Sequence, residues 1–139
     1  MTAANQTTPR GLRNNNPLNI RRSPDVFAGE VKSSDSEFKQ FKSMAYGYRA
    51  AMRIIGNYVL RYKVDTVRDI ISRWAPGSEN DTQKYIDTVV QRSGLEPDRH
   101  LTLDRSETVA LVSAMSFVEN GRAADEHDVE AGYDLLHTS

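Results

Sequence analysis

The sequence contains no cysteine. That removes any disulfide framework and any thiolate metal site, and it suits synthesis in a reducing cytoplasm. Histidine is nearly as scarce. His100, His127 and His137 have no metal-ligand spacing and read as surface residues, so neither a metal nor a cofactor is expected. No apolar run approaches the length of a membrane span. The first residues, Met-Thr-Ala-Ala-Asn-Gln-Thr-Thr-Pro, lack the charged-then-apolar layout of a signal peptide. A protein made this way and acting outside the cytoplasm must be delivered by something else. A glycine-rich phosphate loop and a nucleophile elbow are also missing.

The chain has 139 residues, 38% hydrophobic and 27% charged, which fits one globular domain with a core of its own. The net charge of -1 hides an asymmetry. Residues 1–63 hold 11 Lys/Arg against 4 Asp/Glu, and residues 64–139 hold 7 against 15. The basic half could face a polyanion, or the two halves could pack and neutralise each other. Arg10, Arg13, Arg21 and Arg22 could hold phosphates, but no recognisable nucleic-acid module accompanies them, and no nucleic-acid partner is expected.

Residues 1–9 are polar and read as a disordered tail, and residues 10–139 as a single domain. Residues 11–24 have no sustained period and are rich in Asn, Gly and Pro, so they read as an ordered loop anchored by Leu12, Leu18 and Ile20. Residues 26–32 and 37–41 could form a small hairpin, with its turn at 33–36 and Phe38 and Phe41 as anchors. From there the pattern is helical. Ser43 caps a helix over 44–62, and Asp65 or Thr66 starts a second, which Ala75-Pro76-Gly77-Ser78 breaks. Asn80 with Gln83 reads as the capping box of a third helix ending at Gly94. Asp104 with Glu107 opens a fourth, which ends at Asn120-Gly121, and a fifth covers about 126–136. The sum is mainly α with one small β-hairpin.

One residue stands out. Glu119 sits in the last turn of the fourth helix, where the helix dipole disfavours an anion. It follows Met115 by four residues and Val112 by seven, which puts it on or beside the buried stripe. Burial and the dipole both raise a carboxyl pKa. A carboxyl group kept protonated near neutral pH is what a general acid for glycosidic-bond cleavage needs. The plain alternative is a solvated Glu at the edge of the apolar face. Glu79 and Asp81 have an ordinary role near a helix N-terminus, and Glu79 is the second candidate for the acid. Glu30, Asp35 and Glu37 lie on or near the hairpin, as a second carboxylate across a cleft or as solvated charges.

A sugar cleft also uses aromatic faces and amides. Trp74, Tyr46, Tyr48, Tyr58, Tyr62, Tyr85 and Tyr133 are available, with core packing as the alternative for the tyrosines. Asn14, Asn15, Asn16 and Asn19 could bond acetamido groups, with turn formation as the alternative.

The order of motifs adds a resemblance. Arg13-Asn14-Asn15-Asn16-Pro17-Leu18-Asn19-Ile20-Arg21 is followed by Phe38, Phe41 and Ser43, then by Gly47-Tyr48-Arg49-Ala50. Ile71-Ser-Arg-Trp74-Ala75-Pro76, Glu79-Asn80-Asp81-Thr82 with Tyr85, and Val118-Glu119-Asn120-Gly121 complete the series. Over residues 10–121 this resembles small phage-encoded structural or virion proteins with a lysozyme-like, lytic-transglycosylase-like domain. In many lysozyme-like cell-wall glycosidases a catalytic Glu ends a helix, and an Asn-rich loop, a Phe-bearing hairpin and a Tyr-bearing helix follow. Here the Glu element comes last, so the resemblance implies a circularly permuted lysozyme-like α+β fold.

The same resemblance implies a peptidoglycan-degrading glycosidase of lytic-transglycosylase type, acting on glycan strands of the bacterial wall. Glu119 is its general acid and base, Tyr85 positions the reacting centre, and Glu79 is the reserve acid. Asn15, Asn16, Asn19, Trp74, Asn80, Thr82 and Tyr46 are the substrate-binding candidates. Other virion proteins are expected partners. Two other classes remain open: a non-catalytic peptidoglycan-binding virion protein, and a nucleic-acid binder using the basic half.

Overall fold

The computed structural model describes residues 8–77 and 81–138. Most of the expected tail, and Ser78, Glu79 and Asn80, lie outside the described residues. Among the described residues there are six helices and one two-stranded sheet. They are α1 (Arg10–Arg13), β1 (Glu30–Val31), β2 (Gln40–Phe41), α2 (Met44–Tyr62), α3 (Val67–Trp74), α4 (Thr82–Ser93), α5 (Arg105–Asn120) and α6 (Glu126–Thr138).

The helix ends follow local chemistry. Ser43 and Thr66 sit in extended backbone, and their hydroxyls accept from the N–H groups of Tyr46 and Asp69. Gly94 and Gly121 close α4 and α5 in the left-handed region. The cap of α4 differs from the expected Asn80. Asp81 fills it, accepting from Lys84 N, and its charge suits the positive end of the helix dipole. Gln83 turns outward to Asp87 instead of reaching back to close a box. Asp104 caps α5 as expected, but Glu107 reaches past it to the N–H groups of Thr102 and Leu103.

The core is built from α2, α3, α4 and α5. Tyr48, Ile55, Val67, Ile70, Ile71, Val89, Leu111, Val112 and Met115 are buried in it. Within it the Tyr48 hydroxyl pairs with Ser116 Oγ at 2.9 Å, joining α2 to α5. α6 packs along α2 at Gly132, where an added Cβ would stand 2.8 Å from Tyr48 Cβ. Among the described residues no helix is long and apolar enough to cross a membrane.

The hairpin is smaller than the expected 26–32 and 37–41. Only Glu30 with Phe41 and Val31 with Gln40 pair, antiparallel, beside an isolated Arg21–Phe38 bridge. Side chains do the rest of the holding. Asp35 accepts from Arg10 at 2.6 and 2.9 Å, from Asn14, and from the N–H groups of Glu37 and Phe38. Arg10 also pairs with Glu37, and Lys39 with Glu30, so these ion pairs stay inside the basic half. Arg68, Arg99 and Arg105 likewise take their acids from the acidic half.

Candidate functional site

Residues 14–20 form a tight loop whose asparagines are chosen by the backbone. Asn15 and Asn19 have φ of 51° and 54°, a region that Asn tolerates better than most side chains. Asn16 is fully buried. Its Oδ1 accepts from Ile20 N, and its Nδ2 donates to the carbonyls of Ile20 and Lys39. Asn15 Nδ2 donates to the Phe41 carbonyl. Both side chains thus help to hold the loop to the hairpin strand and its flank.

Asn19 is used differently. Its Nδ2 donates to Glu119 Oε1 at 2.8 Å, and the Tyr85 hydroxyl donates to Glu119 Oε2 at 2.9 Å. The neighbouring Asn120 fixes the helix end to the loop, its Nδ2 donating to the Pro17 carbonyl at 2.8 Å and to the Ser116 carbonyl at 2.9 Å. The end of α5, the Asn loop and α4 thus meet at one carboxyl group. The Asn19 and Asn120 carboxamide oxygens are buried without a hydrogen-bond partner. Both face the bare Cα of Gly11.

Burial pushes the Glu119 carboxyl above its ordinary value, outweighing the hydrogen bonds from Asn19, Tyr85 and Trp74 that favour the ionised form. The Tyr85 phenol is driven far upward, first by burial and then by the Glu119 carboxylate. It stays a neutral hydrogen-bond donor throughout the working range.

Glu119 opens on a cleft of about 550 Å³. Leu18, Asn19 and Ile20 of the loop line it, with Arg21 and Phe38 beside the hairpin, Ile54 and Tyr58 of α2, and Arg73 to Pro76 at the end of α3. Trp74 meets Tyr58 edge to face, with centroids 6.4 Å apart. Arg21 stacks on Phe38, and Arg73 on Tyr58. Among the described lining residues Glu119 is the one carboxylate.

Of the residues singled out in the sequence, Glu119, Tyr85, Asn19 and Trp74 come together here. Thr82 instead ties the start of α4 to the end of α3, its hydroxyl donating to the Ala75 carbonyl at 2.6 Å. Tyr46 packs on Gly29 under Lys42 and does not line the cleft. Glu79 and Asn80 lie outside the described residues. The hairpin acids are engaged elsewhere: Glu30 with Lys39, Asp35 and Glu37 with Arg10. Sequence reasoning missed Arg73. Its signal was the adjacency to Trp74 at a helix end, facing two tyrosines one turn apart on α2. Among the described residues no cluster of His, Asp and Glu could hold a metal ion. The three histidines are exposed.

The sequence matches no family model. It is 39% identical over 130 residues to Protein P5 of Pseudoalteromonas phage PM2, a match covering 90% of this chain and 80% of that protein. At that identity and coverage, the chain belongs to the family of the phage protein P5.

Proposed function

We propose that the protein is a peptidoglycan-degrading glycosidase of lytic-transglycosylase type, with a circularly permuted lysozyme-like fold. The observation that carries this reading is the half-buried Glu119 carboxyl, gripped by Asn19 and Tyr85 in an aromatic-lined cleft. The meeting of Glu119 with the Asn loop is also what a permuted chain order requires.

In its protonated form Glu119 gives its proton to the glycosidic oxygen between N-acetylmuramic acid and N-acetylglucosamine as the C1–O bond breaks. The carboxylate left behind takes the proton of the muramic-acid 6-hydroxyl, whose oxygen bonds to C1. The product is an anhydro sugar, no water is consumed, and Glu119 is protonated again. Asn19 and Tyr85 hold the carboxylate between the two proton transfers. A hydrolase using two carboxylates would need a second acid across the cleft, and the described lining offers none. Membership of a phage family gives a wall-cutting enzyme an evident use, with delivery by the virion or a partner protein.

A second reading has a specific basis. Two donors aimed at a half-buried carboxylate also suit a structural acid, and the protein would then bind glycan without turning it over. Clearing of purified peptidoglycan by the wild type and by Glu119→Gln, with mass analysis of the fragments, separates the two. Anhydro ends released only by the wild type support the transglycosylase. Reducing ends indicate hydrolysis, and no clearing by either protein leaves the binding reading.

A further inference from the structure

The walls of the Glu119 cleft carry positive charge, from Arg21 and Arg73. Arg73 is held unusually well for an exposed arginine. Its guanidinium lies over the Tyr58 ring at 5.0 Å and over the Tyr62 ring at 4.7 Å, on two consecutive turns of α2. Arg10, Arg68, Arg99 and Arg105 are each paired with carboxylates. Among the described residues none pairs with Arg73. A cation fixed by ring faces, with no carboxylate on it among the described residues, is organised in advance for an incoming anion.

We propose that Arg73 is a specificity-determining residue that binds a carboxylate of the substrate, so that the cleft selects an acidic glycan over a neutral one. This rests on the reading of the cleft as a glycan site. A peptidoglycan strand offers such carboxylates in two places: on the lactyl ether of muramic acid once its peptide is removed, and on the peptide itself. Chitin offers the same acetamido sugars with no carboxylate. Trp74 supplies a ring that suits either sugar, so the discrimination falls to the guanidinium.

The test is cosedimentation of the wild type, Arg73→Gln and Arg73→Lys with three insoluble glycans at low and high salt. The glycans are intact sacculi, sacculi stripped of peptide by an amidase, and chitin. The wild type should bind sacculi about tenfold more tightly than chitin, and salt should erode the difference. Arg73→Gln should lose about tenfold on sacculi and nothing on chitin, with part of the loss restored in Arg73→Lys. A loss confined to intact sacculi assigns the contact to the peptide, and a loss on stripped sacculi assigns it to the lactyl group. Equal binding of wild type and Arg73→Gln to sacculi overturns the proposal, as does wild-type binding that is equal on chitin. Binding without clearing removes the catalytic reading and leaves this one standing. Binding to no glycan removes both.

Discussion

Asn19 Nδ2 donates to Glu119 Oε1 at 2.8 Å across a sequence separation of 100 residues. The contact joins the loop that follows α1 to the end of α5. It defines the cleft, because the same loop supplies Leu18 and Ile20 to its wall. The consequences can be tested one residue at a time.

If the proposed glycosidase reading holds, replacing Glu119 by Gln should cut wall-clearing activity by about 10²–10⁴-fold, the usual worth of a positioned general acid. The same change should stabilise the protein at neutral pH. Burial raises the folded pKa of Glu119 above its ordinary value of 4.5, so the folded state holds that proton more tightly than the unfolded chain. Its contribution is complete below the unfolded pKa and is lost as pH rises through the folded one. Thermal melts should therefore show Glu119→Gln above the wild type at pH 7, with the gap closing below about pH 4.5. A variant less stable than the wild type at pH 7 would contradict this.

Asn19 and Tyr85 both favour the ionised carboxylate. Asn19→Gly removes one donor while suiting the positive φ, and Tyr85→Phe removes the other. Each should raise the Glu119 pKa further, moving the alkaline limb of the pH–activity profile to higher pH. An alkaline limb that stays put in both variants would mean that Glu119 is not the group being titrated. On the proposed mechanism activity should fall as well, since the carboxylate would lose a support between the two proton transfers.

Gly11 and Gly56 make opposite predictions. An added Cβ at Gly11 would stand 2.7 Å from both Asn120 Oδ1 and the Asn16 carbonyl, in the layer that positions Asn19. Gly11→Ala should cost about 1–3 kcal/mol and much of the activity. Gly56 lies inside α2 with nothing within 4 Å of an added Cβ. Gly56→Ala should gain about 0.5–1 kcal/mol with activity unchanged. Urea denaturation of both variants measures the pair, and destabilisation by Gly56→Ala would refute the second half.

Long-period features were legible in the sequence. The α2 boundaries, the Ser43 and Asp104 caps and the stops at Gly94 and Gly121 each follow from a few neighbouring residues. The dipole and stripe arguments at Glu119 were likewise local, and burial does raise its pKa. What escaped was set by distant partners. The one-turn helix α1 and the two-residue strands hold together through Asp35, whose bonds to Arg10 and Asn14 span more than twenty residues. Asn16 looked like a ligand donor because its type fits acetamido groups. Its burial depends on β2, which no local pattern announces. The setting of Arg73 depends on α2, which brings Tyr58 and Tyr62 against it.

Lys39 gives the last test. Its side chain is 1% exposed, and its ammonium group donates to Glu30 Oε2 at 2.9 Å and to the carbonyls of Ser23 and Asp25 at 3.2 and 2.7 Å. Three acceptors match three donors, so the charge is buried but fully bonded. Glu30→Gln removes the one counter-charge and should cost about 3–5 kcal/mol, because an unpaired buried charge remains. Lys39→Met removes the charge and leaves the carbonyls without a donor. In that background Glu30→Gln should cost far less, since no ammonium is left to abandon. The double-mutant cycle should thus show a coupling above about 1 kcal/mol, and simple additivity would mean that the pair contributes through packing alone. The Lys39 carbonyl accepts from Asn16, and Phe38 next to it lines the cleft. Loosening this ion pair should therefore also lower activity in Glu30→Gln, with the largest loss near the temperature at which the hairpin begins to melt.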